Sequence, residues 1–288
     1  MLQRTLPRLL THVFASGDGD LRLRRSMGLG CLALFMASAA ASVHAQDRVP
    51  EQFRLLALDG RPAVRWTMPA QGLPAKITYA FVTAPMSFPG ARNCDGMVAP
   101  AAMLERSRIE MDAFRREVRA AFDLWQRAAN VQFEETASIA TAGILIGADA
   151  KPRGRAFTNV KLKGGVAVTA GKIGAIDQSL ICLNPSQPWK IGFDGDLAVY
   201  DLRFTMTHEI GHAIGLDHPG PEGQLMSFRY VERSRELQPG DIAGVAALYG
   251  RRGDVPGIEK KTKAAAAHPL PSAPPSASSL GLSEARPR

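Results

Sequence analysis

The chain has 288 residues, 45% of them hydrophobic, enough for one domain with a substantial core plus extensions. Its formal charge of +8 gathers at the ends: residues 1 to 45 hold five Lys/Arg against two Asp/Glu, residues 251 to 288 hold seven against three, and the middle is left near +1. A folded part so close to neutral presents no basic patch, which excludes nucleic-acid binding as the function class.

Arg22, Arg24 and Arg25 precede an apolar run of small residues from Met27 to Ala41, and Val43-His44-Ala45 closes it as an A-x-A-like cleavage site. This is the pattern of a secretory signal peptide over residues 1 to 45. The run is short for a bilayer core that needs about 20 apolar residues, so no membrane span is expected after cleavage and the product is secreted or periplasmic. Residues 46 to 65 read as a short N-terminal extension. Cys94 and Cys182 remain in the mature chain, and in an oxidising compartment two cysteines most simply form one disulfide.

Ile77, Tyr79 and Phe81 alternate with smaller or polar neighbours across Lys76 to Val82, which predicts a strand. A Pro/Gly-rich loop follows from Pro85 to Pro100. Phe114, Val118, Ala121, Phe122, Trp125 and Ala129 then recur at helical spacing, with Arg115, Arg116, Arg119 and Arg127 on the polar side as a solvated face. Val131 to Glu135, Gly143 to Ile146, Gly164 to Ala170 and Leu180 to Leu183 are the further expected strands. Phe193-Asp194-Gly195-Asp196, with Asp201 nearby, offers the oxygen ligands that suit calcium, although an Asp-Gly turn accounts for the same residues.

Leu202, Met206 and Ile210 repeat every four residues and predict the buried stripe of a helix running into Thr207-His208-Glu209-Ile210-Gly211-His212. Residues four apart on a helix lie about 6 Å apart along the axis on one face, so His208 and His212 can address one metal ion. His218 would lie about 15 Å from His208 if the helix continued, so the chain must turn first. Gly215 accepts the positive φ of such a turn. Three neutral imidazoles leave one tetrahedral position for water, the arrangement of a catalytic zinc, and Glu209 stands beside the ligands as general base and later acid.

The spacing H-E-x-x-H-x-x-G-x-x-H followed by a methionine, here Met226, is the metzincin pattern. His212-Ala213-Ile214-Gly215-Leu216-Asp217-His218 resembles the matrixin branch of that group, as do Ala121-Phe122-Asp123-Leu124-Trp125 and the stretch from Leu237-Gln238-Pro239-Gly240-Asp241-Ile242 to Ala247-Leu248-Tyr249-Gly250. The resemblance covers roughly Trp66 to Gly250. It implies an α+β fold with a twisted mixed sheet, an active-site helix, a C-terminal helix and a cleft between upper and lower parts. It also implies a zinc endopeptidase with Met226 as an apolar floor under the histidines. By the same resemblance, Phe228 and Tyr230 wall the main specificity pocket, with Phe228 standing where relatives carry proline. An extended peptide substrate would pair with an edge strand, for which Val166 to Ala170 is the candidate.

This chain departs from matrixins that carry a second, histidine-bound zinc. Beyond residue 45 it has only His208, His212, His218 and His268, so one catalytic zinc is expected. Arg92-Asn93-Cys94-Asp95 also differs from the Pro-Arg-Cys-Gly segment with which latent matrixins cap their zinc, though a switch role for Cys94 stays open beside the disulfide. Pro239 suits the first turn of the last helix and Gly250 its end. From Arg251 the composition turns to Lys, Ala, Pro and Ser, a disordered tail. The reading is an exported monomeric peptidase. Two alternatives share its residues: a zinc amidase acting on a non-protein or cell-wall peptide substrate, and an inactive metal-binding interaction module.

Overall fold

A computed structural model describes residues 52–69, 72–151, 154–164 and 172–253. The signal segment, most of the tail and the candidate edge strand from Val166 to Ala170 lie outside the described residues.

In chain order the elements are β1 (Arg54–Leu55), β2 (Val64–Arg65), β3 (Ala75–Phe81), β4 (Met86–Ser87), β5 (Gly96–Val98), α1 (Ala101–Arg106) and α2 (Met111–Ala128). Then come β6 (Val131–Glu135), β7 (Ile144–Asp149), β8 (Ala156–Leu162), β9 (Gly174–Leu183), β10 (Trp189–Lys190) and β11 (Tyr200–Asp201). The active-site helix α3 (Leu202–Ala213), β12 (Leu216–Asp217) and α4 (Pro239–Tyr249) complete the order. The main sheet runs β2-β9-β7-β3-β6, with all four of these pairings parallel, and β8 lies antiparallel on the other side of β9. This is the expected α+β architecture.

Period-two alternation sorts the strands onto two faces. Ile77, Tyr79 and Phe81 of β3 and Ile181 and Leu183 of β9 face the helices, where they join Phe114, Val118, Phe122 and Trp125 of α2 in the main core. Tyr79 stacks on Phe122 with ring centroids 4.2 Å apart. Ala80, Val82, Leu180 and Cys182 point the other way and cover a smaller cluster with Cys94 and Met97. A disulfide joins Cys94, in the loop before β5, to Cys182 of β9, with Cα atoms 6.2 Å apart.

Two differences from the sequence reading bear on the site. Residues 54 to 65, taken as an extension, supply β1 and β2, and β1 pairs antiparallel with β12 beside the third histidine. The strand that borders β9 on its outer side is β8, which the sequence reading left out. All seven of its residues are partly exposed, without a buried and an open face, so no alternation announces it.

Candidate metal centre and active site

Helix α3 is held at both ends and along its buried face. Asp201 caps its start by accepting from Phe204 N at 2.8 Å, and Leu202, Met206 and Ile210 are wholly buried against the sheet and α2. Trp125 of α2 donates its Nε1–H to Thr207 O at 2.9 Å. At the other end the last carbonyls, which a helix cannot satisfy internally, find side chains: Ala213 O accepts from Trp66 Nε1 and Ser179 Oγ, and Ile214 O from Tyr249 Oη. The chain then turns at Gly215, whose φ is +104° and whose missing Cβ leaves space for Val64 O.

That turn returns His218 to the helix. His208 Nε2 and His218 Nε2 are 3.0 Å apart, and His212 Nε2 and His218 Nε2 are 3.1 Å apart. Backbone carbonyls fix two of the tautomers: His208 Nδ1 donates to Leu225 O at 2.9 Å and His212 Nδ1 to Leu216 O at 2.8 Å. Because a carbonyl can only accept, both Nε2 atoms present lone pairs to the shared point. Burial first, and then the neighbouring imidazoles, lower all three histidines from 6.5 to about 4. At neutral pH the cluster is uncharged, and His208 Nε2 and His212 Nε2 both present lone pairs toward His218 Nε2. The donor set therefore fits a divalent metal of the zinc type. Among the described residues this is the one group of three or more His, Cys, Asp or Glu side chains placed to hold such an ion.

Met226 is buried under α3 and takes the place of a side chain at Gly211, where a Cβ would collide with its sulfur. The turn carrying it is pinned from α4: Asp241 accepts from Leu225 N at 2.8 Å, Met226 N at 3.0 Å and Gln238 N at 2.8 Å. Sequence reasoning missed Asp241 in this role. Its placement three residues after Gln238 at a helix start was a local capping signal, but its hold on Leu225 and Met226 spans the loop between them.

Glu209 is buried beside the histidines, and burial raises its pKa above the usual carboxylate range. Its Oε2 accepts from Thr158 Oγ1 of β8 at 2.7 Å. Thr158 is a second residue that the sequence did not disclose, since nothing local links it to a helix 51 residues away. The histidines, Glu209 and Thr158 line one cleft of about 510 Å³.

A family model described as matrixin matches residues 101–250, more than half of the chain. The chain is a matrixin. Metalloendoproteinase 1-MMP of Arabidopsis thaliana is 33% identical over 138 residues, 46% of this chain and 36% of that protein. Metalloendoproteinase 4-MMP of the same plant is 29% identical over 195 residues, 66% and 49% of the two chains. Matrilysin of Mus musculus is 40% identical over 62 residues, 20% and 24%. The chain thus spans half or less of the length of these relatives.

The expected pocket wall of this matrixin borders the same cleft. Tyr230 stacks on Tyr200 at 4.2 Å, donates to Glu232 Oε1 at 2.7 Å and accepts from Asp201 N at 3.0 Å. Phe228 stands at the rim, 58% exposed, its ring 6.2 Å from that of His218. Arg229 does not border the cleft and pairs with Glu222 at 3.1 Å. In the loop considered for calcium, the Lys190 ammonium contacts Asp194, pairs with Glu232 at 2.6 Å and donates to Asp196 O at 2.8 Å. Asp201 is engaged by Arg235 at 2.6 Å.

Proposed function

We propose that this matrixin is an exported zinc-dependent endopeptidase that works as a monomer. Residues 1 to 45 are a cleaved leader, 66–250 the catalytic domain closed by β1 and β2, and 251–288 a tail. The observation that carries the reading is the convergence of three neutral imidazoles with a buried carboxylate beside them. Matrixins are zinc-dependent, and the relatives are named as metalloendoproteinases.

His208, His212 and His218 would hold the zinc, which when bound polarises a substrate carbonyl and acidifies a water. Glu209 removes the proton from the attacking water on its carboxylate and hands it to the departing amide nitrogen, so that the carbon–nitrogen bond breaks with a neutral amine leaving. Thr158 steadies Glu209 from β8: its hydroxyl lies 2.7 Å from Oε2 and 3.0 Å from the Glu209 carbonyl oxygen. Burial of Glu209 brings its basicity closer to neutral pH, where a base operates best. The substrate backbone runs along the open side of β8, whose main-chain groups pair with β9 on one side alone among the described residues.

The test is digestion of an unfolded protein beside a panel of cell-wall peptides. Cleavage of the unfolded protein, stopped by a chelator and restored by zinc, supports the reading. Turnover confined to cell-wall cross-links would replace it with the amidase alternative.

A further inference from the structure

The described residues contain three buried side-chain polar atoms without a hydrogen-bond partner, and two of them, Arg155 Nη1 and Thr205 Oγ1, belong to residues that border the catalytic cleft. Buried polar atoms are seldom left unpaired, because each forfeits its bonds to water. Thr207, two residues along the same helix, settles its hydroxyl on Arg203 O at 2.7 Å, whereas that of Thr205, 5% exposed, finds no partner. Arg155 lies over Tyr200, its guanidinium carbon 4.2 Å from the ring centroid, and Tyr200 in turn stacks on Tyr230. The cleft is therefore bordered by a stacked aromatic pair, a guanidinium lying over it, and a hydroxyl with open valence.

The chain's own acids near this slot are committed elsewhere. Asp201 accepts from Arg235, Gly192 N and Phe204 N, Glu232 pairs with Lys190 and Tyr230, and Asp217 pairs with Arg54. Glu209 is held by Thr158. Arg92, the other arginine bordering the cleft, adds charge of the same sign. The missing partner is thus an acceptor brought from outside. Aromatic walls suit a short apolar stem, and a guanidinium suits a carboxylate at its end.

We propose that Arg155 and Thr205 read the substrate: the pocket beside the metal centre seats a glutamate-like side chain flanking the bond that is cut, so the substrates are acidic peptides. This rests on the endopeptidase reading, and the test separates the two. The zinc-supplied full chain is given peptides identical except for Glu, Gln, Leu or Lys at each position flanking the cut site. In parallel, binding of the same peptides to zinc-loaded Glu209→Ala is followed by fluorescence anisotropy.

Expected is a preference for Glu over Leu of about 10- to 100-fold, the worth of one charge-assisted hydrogen bond. Arg155→Gln collapses the Glu-to-Leu ratio toward one, Arg155→Glu moves the preference to Lys, and Thr205→Val lowers the ratio by a smaller factor. The wild-type ranking and Thr205→Val decide the matter even where an Arg155 variant fails to fold. A preference for Leu, or a ratio that Arg155→Gln leaves unchanged, overturns the proposal while cleavage itself upholds the peptidase. Selective binding of Glu peptides, lost in Arg155→Gln, with no peptide cut, upholds the proposal and sinks the peptidase. Neither cleavage nor selective binding overturns both.

Discussion

The floor and the far wall of the cleft are built on opposite rules. On the floor, the polar groups that place the histidines are paired within the chain: the two Nδ1 atoms with carbonyls, Asp241 with three backbone N–H groups, the last carbonyls of α3 with Trp66, Ser179 and Tyr249. Arg155 on the wall keeps open valence, and so does Thr205, which borders the cleft from α3 itself. Saturated groups hold geometry, and unsaturated ones await a ligand. The comparison assigns stability to the floor and selectivity to the wall.

Perturbing the floor sharpens this division most. Trp125→Ala removes a fully buried indole and its bond to Thr207 O, and is expected to cost about 3–5 kcal/mol in urea unfolding. Asp241→Ala strands the N–H groups of Leu225, Met226 and Gln238 and is expected to cost about 2–3 kcal/mol. It should also weaken zinc retention, measured by competition with a chromogenic chelator, because the turn beneath the imidazoles loosens. Thr158→Val leaves the histidines in place, so zinc content should hold while kcat falls roughly 10-fold, the loss of one bond to a charged group. At the small end, Arg54→Ala breaks an ion pair to Asp217 whose arginine is 61% exposed, and unfolding should move by less than about 0.5 kcal/mol.

Acid gives a further handle on the metal-free protein. Its three histidines titrate near 4 when folded and near 6.5 when unfolded, so between those values the unfolded chain binds more protons. Stability of the metal-free fold should therefore fall as pH drops from about 6.5 toward 4 and be fully present above that window. A metal-free unfolding midpoint that is flat across this range would show that the imidazoles are solvated.

What the sequence disclosed follows the same line between local and distant. The histidine spacing, the stripe of Leu202, Met206 and Ile210, the turn at Gly215 and the strand of Ile77, Tyr79 and Phe81 are periodic or local, and each is where the pattern put it. The α1 helix and β8 were not legible, the first because it is six residues long, the second because its residues are half-buried or exposed with no alternation between faces. Thr158, Asp241, Arg155 and the pairing of β1 with β12 act across many intervening residues, through contacts that exist only once the chain is folded. The contacts of Lys190 with Asp194 and Asp196 O show the same limit, since residue type alone does not reveal that Lys190 points into the loop.

The most direct test compares wild type with Glu209→Ala at matched zinc content on an unfolded protein substrate. Retention of one zinc per chain with a rate loss of about 100- to 10,000-fold is the predicted result, the usual worth of general acid–base catalysis. A zinc-loaded Glu209→Ala that cuts as fast as wild type would contradict the account.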